Sequence, residues 1–452
     1  MKDSVAEILA DHFLSISLND IPAARLARAR TLLLDYLGVA LCGSQTASGR
    51  IAATFVVEQG GKPAATLIGD GRRVPAMQAA LANAIASHSI ELDDVDVLAL
   101  FHFSPPVVSA ALAVAEEHGA SGAELLRAIV LGCEMMSRAS HAANFSLRDR
   151  GFHTTPTCGV FGAAVASGLL MNLDHGQMVS ALGLAGAQSG GLMEMYGPSM
   201  QKRFNPGLAA RNGATAAGLA RLGFTGAGSI FEGERGFLAA FTDEHDVDAL
   251  LRDLGPDFPD EFEYKAYSCA RPIHNAIDCA LDIRSQLSVP LSQVTRITMR
   301  RHPKWAHYHQ NARPKTYHEA QVSLPYSVAV ALIEGAAMFP QYSNEKLNEP
   351  EIIRLSELVE IVVDESLPRG VSCLMELTTS DGARYRSQVD HPRGSIKNPM
   401  SVPHHQEKVR LLAEPVIGAE GVQRLIATIE GMGENFSATD AVRASVPSQA
   451  AA

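Results

Sequence analysis

The chain has 452 residues, 46% hydrophobic and 19% charged, with a formal net charge of −11. That length exceeds the usual size of one core, so two domains are expected; the acidic balance argues against a nucleic-acid partner, whose phosphates are bound by clustered Lys and Arg. An anionic ligand must then be drawn in by a local basic pocket. The 6 cysteines are scattered without a CxxC pair, which fits a reducing compartment, and the cytoplasm is the expected location.

The start, Met1-Lys2-Asp3-Ser4, leads into an amphipathic helix containing Asp11 and lacks the apolar core of a signal peptide. From residue 5 to about 254, apolar residues recur at helical spacing. Helix starts are predicted at Asp20 before Pro22, at Ser121 with Glu124, and at Asp174 with Gln177. Ala and Gly crowd residues 159–168 and 182–191, and Arg127, Glu134 and Arg138 in one helix favour a soluble bundle over a membrane interface. The longest apolar stretches are interrupted, as Asp35 interrupts 32–41, so none reaches the roughly 20 residues of a membrane span.

After Pro256-Asp257-Phe258-Pro259 the texture changes. Residues 294–300 alternate with period two, 359–363 and 372–378 read as strands, and 384–389 follow a turn at Asp381-Gly382. Helices are predicted over 272–286 and 320–334, the chain returns to helix over 406–432, and 447–452 reads as a disordered end. The expected fold is mainly α with an α+β part: a large helical domain of residues 1–262, completed by 403–452, and a smaller α+β lid of 263–402.

Three pieces carry chemistry. Gly151-Phe152-His153-Thr154-Thr155-Pro156-Thr157-Cys158-Gly159 opens a helix of small residues, and Gln201-Lys202-Arg203-Phe204-Asn205-Pro206-Gly207 opens another. Each sets a titratable or cationic group at a helix N-terminus, where unpaired amides and the dipole favour an anion, and two such openings suit a small polycarboxylate. The third, Ser87-His88-Ser89-Ile90-Glu91-Leu92-Asp93-Asp94 followed by Phe101-His102-Phe103-Ser104-Pro105-Pro106, adds a histidine at a loop-to-helix junction.

On these residues the chain resembles the MmgE/PrpD family, over nearly its whole length, from Leu33-Leu34-Asp35-Tyr36-Leu37-Gly38 to His391-Pro392-Arg393-Gly394-Ser395. The resemblance implies a homodimer with the active site in the cleft between domains. It implies a lyase without metal or cofactor that dehydrates or decarboxylates a small polycarboxylate of the 2-methylcitrate or cis-aconitate kind. The alternatives are an epimerase or isomerase of an amino- or iminodicarboxylate, and a non-catalytic carboxylate-binding relative.

The same resemblance assigns roles. His153, in the family's Gly-Phe-His motif, is the first choice for proton transfer, a ring cap on the following helix being the plain structural alternative. His102 assists the leaving group or reprotonates; here Phe103-Ser104-Pro105 replaces the usual Pro and small residue after it. Lys202 and Lys265 clamp carboxylates as compact point charges, and Tyr326 reaches the substrate from the lid. Glu91 stands where relatives carry an active-site acid. Together with Asp93, Arg271 and His274 it is expected to contact substrate, while Arg203 reads equally as a surface ion pair. Val95 stands for the family's usual Thr and Asn205 for its frequent His, two departures that bear on the substrate.

Two rival readings come from other chemistry. Asp93-Asp94-Val95-Asp96 has the composition of a magnesium–diphosphate cluster, but the sequence offers no second cluster. His302, His307, His309 and His318 could supply metal ligands, yet they lack a nearby acidic or cysteine partner and read as solvated loop histidines.

Overall fold

The computed structural model describes residues 3–97, 101–195, 199–258, 262–368, 370–433 and 435–448, without the side chains of 144 and 145. Of the end expected to be disordered, 449–452 lie outside the described residues.

Local chemistry sets where the helices begin. Helix α1 (Ala23–Ser44) starts on Pro22, not Asp20. The Asp20 carboxylate is occupied by the Ser17 amide (2.8 Å) and hydroxyl (2.6 Å), which close a short 3-10 turn, and proline's fixed φ then opens α1. Helices α2 (Ala76–Ser87) and α3 (Ser104–His118) follow, joined by the loop that carries Glu91. Helix α4 (Gly122–Asp149) opens with the Ser121–Glu124 capping box, and the Asp174–Gln177 box opens helix His175–Gly186. Helix α5 (Thr154–Leu170) is buried along its whole length, which its small apolar composition requires, and packs against α4 and α6 (Gln201–Arg221). Backbones touch there: a methyl group at Gly162 would sit 2.5 Å from the Gly132 carbonyl oxygen.

The lid has its own apolar core, built from α7 (His274–Gln286), α8 (Leu324–Glu334) and a mixed four-stranded sheet. Strands β1 (Val294–Arg301), β2 (Val359–Val363), β3 (Cys373–Thr379) and β4 (Arg384–Val389) lie in the order β2-β1-β3-β4, with β2 parallel to β1 and the other pairs antiparallel. The chain is thus mainly α with an α+β part.

Two predicted helices are shorter than expected. The segment 320–334 divides into Tyr317–Ala320 and α8, because Ser323 accepts the Tyr326 amide (3.1 Å) as a new N-cap and Pro325 follows in the first turn. The segment 272–286 begins as a 3-10 turn over Arg271–Ile273 before α7.

The return helix α9 (Val402–Glu430), broken at Gly418 (φ 71°), packs on α1 and puts Val409, Ala413 and Leu425 into the helical core. Its Lys408 ammonium lies 2.7 Å from Asp35 and donates to the Leu92 carbonyl (2.9 Å), tying the tail to the loop before α3. Among the described residues no helix is long and apolar enough to cross a membrane.

Candidate active site

The site forms around the loop between α2 and α3. Glu91 adopts φ 55°, a left-handed conformation that costs a non-glycine residue on the order of 1 kcal/mol or more. Its neighbours hold it there: the Ile90 carbonyl accepts from Gln321 Nε2 (2.9 Å) and from the Ser268 hydroxyl, both of the lid, and Val95 pairs through its backbone with Glu263. Lys408 of α9 adds a hold from the helical part on the Leu92 carbonyl (2.9 Å), and strain so sustained points to a functional position.

That conformation delivers the Glu91 carboxylate to three cations. Lys202 and Arg203, in the first turn of α6, meet Oε1, and Lys265 Nζ lies 3.1 Å from Oε2. All four groups are buried. Burial by itself would raise the Glu91 pKa, but Lys202, Lys265 and Arg203 outweigh it and hold the carboxyl well below its usual range. The two lysines respond differently. Burial brings Lys202 down to about 8, only partly opposed by Glu91, whereas Lys265 also faces Asp93 (3.5 Å), and the two carboxylates together carry it above its ordinary value despite burial. Arg203, expected as a surface pair, is instead an interior partner of Glu91 and Gln321 Oε1 (3.0 Å).

Histidines stand beside this cluster. His102 Nδ1 faces the Asp94 carbonyl at 2.6 Å and Asp93 Oδ2 at 3.1 Å; both are acceptors, so Nδ1 carries the proton and Nε2 the lone pair. Asp94 accepts the amides of Phe103 (2.7 Å) and Ser104 (3.0 Å), fixing the start of α3. His153 is the N-cap residue of α5, but its ring makes no cap bond. Its Nδ1 lies 3.2 Å from the Asn205 amide nitrogen, which also reaches Met195 Sδ at 3.4 Å. The Met195 sulfur can only accept, which turns the Asn205 NH₂ toward it and toward His153, so Nδ1 of His153 accepts and the proton sits on Nε2. Burial, then the nearby His88 and Lys202, push His153 well below its ordinary value and keep it neutral. The two rings have opposite hydrogen-bond polarity.

His102, His153, Lys202, Lys265, Glu91 and Arg271 line one cavity of about 840 Å³ between the helical part and the lid. Asp93 lies beneath it, accepting from His88 Nδ1 (2.7 Å) and His102. Arg271 is paired with Glu263 (Nε 3.0 Å) at the cavity wall. Two expected residues do not join. The Tyr326 hydroxyl donates to the Gln341 carbonyl (2.7 Å) inside the lid, and the His274 ring meets Tyr267 edge to face with Nε2 on the Cys269 carbonyl (3.3 Å). Both are held by lid packing, since each lies on a helix face turned to that core.

Sequence reasoning missed His88, Arg203 and His309. His309 and His318 are not solvated loop residues. His309, at φ 65°, points Nδ1 at the Val322 carbonyl (3.0 Å) and lines the cavity, while His318 is buried 3.4 Å from Arg203. His302 caps a short helix, accepting the Lys304 amide at 3.2 Å, and His307 is exposed. His88, Asp93 and His102 come together as a metal site would require. Both Nδ1 atoms face oxygen acceptors, and the Lys265 ammonium lies 3.5 Å from Asp93.

Comparison with known proteins identifies relatives along nearly the whole chain. The MmgE/PrpD N-terminal domain is matched over residues 7–250 and the MmgE/PrpD C-terminal domain over 267–433. The cis-aconitate decarboxylase-like protein oryM of Aspergillus oryzae is 30% identical over 438 residues, covering 90% of each chain. Cis-aconitate decarboxylase of Aspergillus terreus is 28% identical over 92% of this chain and 91% of its own, and that of Homo sapiens 26% over 96% and 92%. The chain belongs to the MmgE/PrpD family.

Proposed function

We propose that the chain is a lyase acting on a small polycarboxylate of the cis-aconitate or 2-methylcitrate kind, without metal or cofactor. The observation that carries this reading is the convergence of Lys202, Arg203 and Lys265 on the single carboxylate of Glu91, beside two imidazoles of opposite polarity. Three cations against the Glu91 and Asp93 carboxylates leave one surplus positive charge in a chain of net charge −11, which suits a polyanionic substrate. Relatives named as cis-aconitate decarboxylases support an enzyme of the lyase kind.

The hydrogen-bond polarity divides the work. The His102 lone pair takes the proton from carbon beside a substrate carboxylate, and Asp93 supports the imidazolium that forms. The electron pair moves into that carboxylate. Lys202 and Lys265 neutralise the growing charge, and neutral His153 donates its Nε2 hydrogen to it. This exchanges the roles expected from sequence, where His153 led. In dehydration the His102 imidazolium returns that proton to the departing hydroxide, which leaves as water; in decarboxylation no C–H proton is taken, the bond to CO₂ breaks first, and the carbanion left behind takes a proton from a His102 imidazole that solvent has protonated. Lys202→Ala should raise KM for the acid about tenfold or more, the effect of losing a charged hydrogen bond, and excess chelator should leave the wild-type rate unchanged. An unaltered kcat/KM would remove Lys202 from the clamp, and a rate lost to chelator would overturn the metal-free reading.

A further inference from the structure

The cavity's charges are unevenly distributed, and its size exceeds what a citrate-sized acid fills. The cationic groups around Glu91 come from α6 and from the segment leading into the lid, with His102 and His153 from the helical part. The lid contributes a different surface: Trp305, the only tryptophan in the chain, with Tyr308, His309 and Val322. Val95 and Met193 add apolar surface from the helical part. His309 brings no charge: its Nδ1 hydrogen is directed at the Val322 carbonyl, and burial followed by the nearby Arg301 brings its pKa down to about 4. The charged lid residues here are Arg271, paired with Glu263, and Lys304, whose ammonium lies 5.8 Å from the centre of the Trp305 ring. The Tyr308 side chain stays 58% exposed, an aromatic surface open at the cleft. A cavity of about 840 Å³ lies in the range that encloses drug-sized ligands.

Resting on the carboxylate reading above, we infer that the substrate carries an uncharged apolar or aromatic arm beyond its carboxylates, and that this arm lies against Trp305 and Tyr308 on the lid wall. The carboxylates fix one end through Lys202 and Lys265. The lid wall offers the aromatic faces of Trp305 and Tyr308 to the other end. Val95 fits the same arrangement, because an isopropyl group at that wall offers an apolar contact and no hydrogen bond.

Equilibrium binding separates the ideas without requiring turnover. Calorimetric titrations of the full chain with succinate and with benzylsuccinate compare the same two carboxylates with and without an aromatic arm. Benzylsuccinate should bind at least about tenfold tighter, the gain from burying part of a phenyl ring. In Trp305→Ala that ratio should fall to within about threefold of unity, and in Lys202→Ala both ligands should weaken. Equal affinity for the two acids, or a preference that survives Trp305→Ala in a protein with an unchanged circular dichroism spectrum, overturns the arm. Failure of both acids to bind the folded wild type overturns the carboxylate site itself and the arm with it.

Discussion

His102 and His153 differ by the atom to which each Nδ1 is turned, and the chemistry of the cleft follows from that difference. Asn205 decides the second case. Asn205→Asp would place an acceptor opposite Nδ1, move the proton there and leave a lone pair on Nε2. We expect kcat to fall by about a hundredfold with the fold intact, as when a tautomer-setting partner is exchanged. Nitrogen-15 shifts of the imidazoles should report the tautomer directly, and an unchanged kcat would remove Asn205 from this role. Lys202 gives a pH dependence. Its pKa, lowered by burial to about 8, means that the clamp loses a positive charge as pH rises through that value. Because kcat/KM reports the free enzyme, it should fall above about pH 8, and Lys202→Arg should move the limb beyond the measurable range. At this scale the sequence named His102, His153 and Lys202 in motifs at helix openings, and Lys265 and Glu91 through the family resemblance. It did not place His88 or His309 in the site, because their partners are the Asp93 carboxylate and the Val322 carbonyl, and motif position says nothing about which buried polar atoms meet. Tyr326 and His274 were misplaced for the same reason.

Among the elements, α4, α5 and α6 form the platform from which His153, Lys202 and Arg203 are presented, and glycines set its spacing. A methyl group at Gly213 would lie 2.5 Å from the Ala163 Cβ and 2.6 Å from the Val160 carbonyl oxygen. Gly213→Ala should therefore destabilise the protein by about 1–3 kcal/mol, the usual cost of overpacking, and equilibrium urea unfolding should show it as a lower midpoint. An unchanged midpoint would mean that α5 and α6 can separate without loss. The helix starts at Ser121 and Asp174 were legible because a capping box is a local signal. The break between Tyr317–Ala320 and α8 was not, because apolar spacing continues through it. That break frees the Gln321 side chain for Arg203 and the Ile90 carbonyl, and turns the Val322 carbonyl toward His309. An irregular segment thus does part of the positioning that regular spacing cannot forecast.

In the whole molecule, two apolar cores hold the helical part and the lid, and the strained Glu91 loop is gripped by both: by Gln321 and Ser268 of the lid and by Lys408 of α9. The change from helical to alternating texture near Pro256 made the division visible in the sequence. The grip on the loop was not visible, since its partners lie more than 170 residues away along the chain. A net charge of −11 surrounds a cleft whose floor is cationic, which suits the proposed removal of a group from a polycarboxylate. The most direct measurement is proton NMR of the purified protein in D₂O with cis-aconitate, 2-methylcitrate and iminodisuccinate in separate tubes. The account predicts loss of CO₂ or water from one of the first two acids, abolished by His102→Ala. Consumption of none of the three, or epimerisation of iminodisuccinate alone, would contradict it.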